Sequence, residues 1–129
     1  MNVMATIGKG AAALATAGAS VLGLTGSANA VPGAAYLGYG HTTSGTGVWC
    51  VQHLVNDYLR LGGRATIAED GQWGPKTDAA VRSFQQGVLG SGQADGVVGP
   101  QTGSKLMNVD WTDPYAGPNG HCLPYVPTY

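Results

Sequence analysis

The segment Asp70-Gly71-Gln72-Trp73-Gly74-Pro75-Lys76-Thr77 returns as Asp95-Gly96-Val97-Val98-Gly99-Pro100-Gln101-Thr102, at a constant offset of 25 residues. No other feature constrains the fold as strongly, because each copy sets a change of direction and then a helix start. The Asp side chain can bond back to its own backbone while the Gly after it takes a positive φ. Trp73 or Val98 is expected to drop into a core. Pro75 and Pro100 suit a first helical position, where the missing N–H costs nothing and the fixed φ helps. Thr77 and Thr102 then fall in the first helical turn, where a hydroxyl can satisfy free backbone groups.

Apolar spacing supplies the helices around these turns. From Val48 onward, Val51, Leu54, Val55, Tyr58 and Leu59 form one stripe, with His53, Asn56, Asp57 and Arg60 off it. Gly62-Gly63 is expected to stop that helix. After Pro75, a second stripe runs through Ala80, Val81, Phe84 and Val88, with Arg82, Ser83, Gln85 and Gln86 more outward. Gly87 and Gly90-Ser91-Gly92 are expected to end this second helix. Pro100 opens a short third helix through Leu106 and Met107. The predicted fold is all-α, a small three-helix bundle with an internal D-G-x-x-G-P-x-T pseudo-repeat. Residues 31–47 show no period and read as a flexible leader.

Residues 1–30 have the pattern of a secretory signal peptide. Lys9 is the one charged side chain in the first ten residues, Ala11 to Gly26 is uncharged, and Ser27-Ala28-Asn29-Ala30 places small residues before the expected cleavage point. The apolar run, broken by Gly18, Gly23 and Gly26, is too short for a comfortable membrane span. The expectation is a secreted, extracellular protein with no membrane attachment after cleavage. Losing Lys9 from six basic residues leaves five against seven acidic, a formal charge of −2. That balance offers no basic patch for nucleic acid.

Cys50 and Cys122 are the two cysteines, and in an exported chain an even count predicts a disulfide. Closing a loop of that length stabilises a fold by about 4 kcal/mol in the chain-entropy model. A catalytic thiol or a metal ligand is the alternative, but no second cysteine lies close enough in sequence for a C-x-x-C pair. The bridge would tie the Tyr/Pro-rich tail, residues 108–129, back to the first helix.

Val51-Gln52, the first turn, Ala80-Val81-x-x-Phe84-Gln85, the second turn and Leu106 together resemble the three-helix peptidoglycan-binding domain found on bacterial cell-wall hydrolases. The resemblance covers roughly residues 48–107. It implies an all-α bundle and a targeting function, binding to cell-wall peptidoglycan through its glycan strand or stem peptide. Two departures stand out. Gly103 occupies a position where the family often has an aromatic residue, and Cys50 with the tail are additions.

Exposed aromatics and planar amides suit a sugar-binding surface. The candidate ligand-binding residues are Gln72, Trp73, Arg82, Gln85, Gln86, Trp111 and Tyr115, with Trp49 also considered. Trp73 reads more as core than as platform, because Val98 fills the equivalent place. Arg82 could pair with a stem-peptide carboxylate, although a solvated helix face accounts for it equally well. No catalytic residues, metal or cofactor are expected. His41, His53 and His121 lack zinc-ligand spacing, and no nucleophile motif is present. The turn role accounts for Asp70 and Asp95 without a glycosidase pair. The reading is a secreted, non-catalytic cell-wall binding protein; the alternatives are an exported protein-interaction module, docking another exported protein through residues 111–129, and a small cell-wall hydrolase.

Overall fold

A computed structural model describes residues 34–129. The expected signal peptide and its cleavage site lie outside the described residues. Three helices follow in order: α1 (Thr46–Leu61), α2 (Pro75–Leu89) and α3 (Pro100–Leu106), with short 3-10 turns at Ser91–Gln93 and Leu123–Tyr125. No strand forms among the described residues. Isolated backbone bridges join Leu37 to Val98 and Ser44 to Gln72.

The helix starts follow the turn chemistry. Pro75 and Pro100 occupy first-turn positions after Gly74 and Gly99, both in extended conformation. Gly63 ends α1 at φ +70°, and the Arg64 N–H closes the turn on the Leu59 carbonyl at 2.8 Å. The core gathers Val48, Val51, Leu54, Val55 and Leu59 from α1, Val81 and Phe84 from α2, and Leu106 from α3. Trp73 and Val98 both drop into it, as the turn pattern requires.

Four positions differ from the helical stripes. Gln85 is buried, whereas Val88 is exposed. Asn56 and Asp57, off the first stripe, are buried as well, because the 64–69 connector and the tail cover that side of α1. Asn56 reads the connector directly: its Nδ2 donates to the Ile67 carbonyl and its Oδ1 accepts from the Ile67 N–H, each at 2.9 Å. Gly87 does not end α2. It lies two residues inside the helix, where a Cβ would collide with the Tyr58 hydroxyl.

The burial of Gln85 has a counterpart one helix earlier, and together they explain the repeat. Gln52 Oε1 accepts from the Gly71 N–H at 2.8 Å, while its Nε2 donates to Asp70 Oδ1, the Gln72 carbonyl and Thr77 Oγ1 at 2.9–3.0 Å. Gln85 repeats the pattern on Gly96, Asp95, Val97 and Thr102 at 2.9–3.0 Å. Each Asp also accepts from the backbone N–H two residues on, Gln72 in the first turn and Val97 in the second. Gly71 and Gly96 hold φ +72° and +74°, a region costly for residues with a Cβ. Thus one helical glutamine clamps each turn, and each Thr hydroxyl serves as an acceptor in the clamp.

The segment before α1 lies across both turns. Leu37 and Val98 exchange N–H···O bonds at 3.1 and 2.8 Å, and the Trp73 N–H reaches the Thr43 carbonyl at 2.8 Å. Leu37 is buried in the core. The expected Cys50–Cys122 disulfide is present, with the two Cα atoms 5.7 Å apart and a sequence separation of 72.

Replacing Gln85 with Met, similar in length but without the amide, leaves the buried Gly96 N–H and Thr102 hydroxyl without their partner. The expected loss is about 2 kcal/mol or more in urea unfolding of the oxidised protein. Gln52→Met should behave alike, and a loss below about 0.5 kcal/mol in both would contradict the clamp.

Candidate functional site

Two shallow grooves follow the repeat. The first, about 380 Å³, runs over the first turn past Gln72, Pro75 and Lys76 and against Ile67 and Ala68 of the connector. The other, about 230 Å³, uses the corresponding Val97, Pro100 and Gln101, to which Tyr36 and Tyr129 are added. The first groove is larger but has no aromatic wall. The second-turn groove has two.

A further groove of about 200 Å³ lies between the end of α3 and the tail, bordered by Ser104, Asn108, Trp111, Thr128 and Tyr129. Tyr129 lines both this groove and the second-turn groove. The three aromatics along this strip are solvent-facing: Tyr36 is 47% exposed, Trp111 65% and Tyr129 87%. Trp111 is held rather than loose, since its Nε1 donates to Asn108 Oδ1 at 2.8 Å and its indole lies against Gly117. The Thr128 hydroxyl, on the groove wall, is buried and makes no hydrogen bond. Aromatic faces beside the exposed Asn108 amide suit a ring with apolar faces and polar edges.

The tail reaches this position because Gly103 leaves room for it. A Cβ there would collide with the Pro127 carbonyl and touch Val126. Val126 is fully buried, and the Tyr129 N–H donates to Ser104 Oγ at 3.1 Å. The Gly117 N–H binds the Met107 carbonyl at 2.7 Å and ties the tail to the end of α3.

The candidates read from the sequence are spread over the molecule. Gln72 rims the first groove, exposed. Trp73 is buried, with its Nε1 unpartnered. Arg82 is exposed but engaged, donating to Asp78 Oδ2 and the Ala94 carbonyl at 2.9 Å. Gln85 is consumed by the second turn, and Gln86 is exposed on α2. Trp111 lies on the aromatic strip. Tyr36, Tyr129 and Thr128 were not singled out; they fall in segments without periodicity, where aromatic content was the available signal.

Tyr115 belongs to a separate cluster that joins the tail to α1. Its ring meets Trp49 edge-on at 5.2 Å and His53 at 4.9 Å, and Trp49 stacks on His53 at 4.9 Å. His53 Nδ1 lies 3.0 Å from Glu69 Oε1, and its Nε2 lies 2.7 Å from Asp113 Oδ2. Burial opposes the imidazolium, but the Glu69 hydrogen bond and the charges of Asp113 and Glu69 outweigh it and raise the His53 pKa. Burial, reinforced by the neighbouring Asp113, pushes Asp57 up to about 6 against the pull of Arg60 and His53. For Asp113 burial works the other way from its partners, and hydrogen bonds from Asp57, the Tyr115 N–H and His53 hold it below the ordinary value.

Residues 51–106 match the family model of the peptidoglycan binding domain, the family that the sequence resembles. No curated protein and no solved structure matches the chain. Among the described residues, no helix is long and apolar enough to cross a membrane.

Gly103→Ala should drive the 126–129 segment off α3. The expected cost is about 1–3 kcal/mol in chemical denaturation, typical of overpacking, with loss of the Tyr129 N–H bond to Ser104 visible as faster amide exchange. Unchanged stability together with unchanged exchange would contradict this account of the tail.

Proposed function

Starting from a peptidoglycan-binding domain at residues 51–106, we propose that the protein is a secreted, non-catalytic binder of the bacterial cell wall that holds a glycan strand along Tyr36, Tyr129 and Trp111. The observation that carries this reading is the position of Tyr129, which lines both the tail groove and the second-turn groove and so links them. A linear polymer needs such a path rather than a closed cavity. Sugar rings stack their apolar faces on Trp111 and Tyr129, while the exposed Asn108 amide offers a hydrogen-bonding edge.

Charge agrees with a neutral ligand. The strip carries aromatic, hydroxyl and amide groups, with Asp95 at its far end. The signal-peptide pattern in residues 1–30 supports delivery to the compartment where the wall is built, and the disulfide suits an oxidising environment. Among the candidates from the sequence, Trp111 contributes to this strip; Gln72 belongs to the first-turn groove.

The test is co-sedimentation with insoluble peptidoglycan. Wild-type protein should pellet, and Trp111→Ala should weaken retention about tenfold, the equivalent of about 1.4 kcal/mol. Tyr129→Ala should act in the same direction, while Gln72→Ala leaves retention unchanged. Wild-type protein that stays in the supernatant would sink the reading. Release of soluble fragments from purified walls would overturn its non-catalytic part.

A further inference from the structure

The cluster joining α1 to the tail contains chemistry that the aromatic strip does not use. His53, Asp57 and Asp113 each bring a potential ligand atom to within 4.8 Å of the other two. Asp57 is 94% buried (6% exposed). Arg60 binds its Oδ1 at 2.6 Å, and its Oδ2 is buried with no N–H or hydroxyl donor, beside the Asp113 carboxylate. With Glu69 on the far side of the imidazole, three carboxylates converge on one guanidinium and one histidine. Asp110 adds a further negative charge facing Asp113 from the tail. A buried carboxylate oxygen without a donor is costly, and a proton or a cation is what compensates it.

We propose that His53, Asp57 and Asp113 form a divalent transition-metal site, suited to Zn²⁺, across the junction of α1 and the tail. The imidazole selects zinc over Ca²⁺ and Mg²⁺, which prefer all-oxygen surroundings. Two carboxylates complete a set of three protein ligands, and water takes the fourth position. Glu69 acts from outside this set. It accepts the Nδ1 proton of His53 and fixes the ring, so that Nε2 faces Asp113 Oδ2 at 2.7 Å, where the metal displaces the proton between them. Asn56 in turn donates to Glu69 Oε2 at 2.8 Å, so the outer carboxylate is itself held. Trp49 and Tyr115 pack against the imidazole and limit its rotation.

The site joins elements that the disulfide already joins. His53 and Asp57 follow Cys50 on α1, and Asp113 precedes Cys122 in the tail. Zinc is therefore a second staple beside the first.

The test is titration of the chelator-treated, oxidised full chain with Zn²⁺ in competition with a chromophoric chelator, with Tm followed in parallel. One Zn²⁺ per chain is expected, with a rise in Tm that equal concentrations of Ca²⁺ and Mg²⁺ do not reproduce. Asp57→Asn, which keeps the shape and removes the charge, should weaken zinc binding at least tenfold, and Glu69→Gln roughly tenfold. His41→Ala, a histidine outside the cluster, should leave it unchanged. If Asp57→Asn does not fold, the wild-type chain decides alone: zinc must shift the ring nitrogens of His53 in ¹⁵N spectra. Absence of stoichiometric zinc binding, unmoved His53 nitrogens, or binding lost in His41→Ala would overturn the site.

Discussion

Two buried glutamine side chains hold this structure in its shape. A primary amide is one of the few groups that can accept from a turn N–H with one end and donate to several oxygens with the other. Gln52 and Gln85 do this to consecutive turns, and each turn launches the next helix. The arrangement satisfies backbone groups that would otherwise be buried unpaired at a helix start. It also fixes the direction of α2 and α3, and so the angle at which Val81, Phe84 and Leu106 meet α1. Hydrophobic burial supplies most of the driving force here, as it does generally; the amides decide which packing is reached.

The repeat makes two equivalent grooves, and the asymmetry of the rest of the chain makes them unequal. The first turn stays open beside the connector. The second receives Tyr36 from the segment before α1 and Tyr129 from the tail. Gly103 is where the scaffold gives way to let that happen: a missing side chain on α3 becomes the seat of Pro127. The disulfide and the His53–Asp113 contact then hold the tail at its other end. An aromatic strip built from loosely patterned segments is in this way fastened to the three-helix frame.

Much of the frame could be read from the sequence, because its signals are local. Pro75 and Pro100 start helices, Gly63 closes one, and apolar spacing finds Val51, Leu54, Val55 and Phe84. Gln85 reads as outward because hydropathy has no way to register a polar group whose partners are the backbone of a turn ten residues later. Val88 reads as inward by period alone, although α2 has run past the core by that point. Trp111 was legible as an exposed aromatic. Tyr129 and Thr128 were not, since their place depends on the contact of Val126 and Pro127 with Gly103, 23 and 24 positions earlier in the chain. The spacing of His41, His53 and His121 in the sequence carries no zinc motif. The cluster that forms uses one of them, with Asp57 of α1 and Asp113, which the tail brings to it.

The proposed wall-binding surface is the second-turn strip rather than the larger first-turn groove, and both grooves can be watched in one molecule. Amide shift changes in ¹⁵N spectra, recorded while soluble glycan fragments of peptidoglycan are added, make that comparison directly. The changes should concentrate at Tyr36, Gln101, Asn108, Trp111 and Tyr129 and leave Gln72 and Lys76 unmoved. Changes centred on Gln72 and Lys76, with the strip silent, would contradict it.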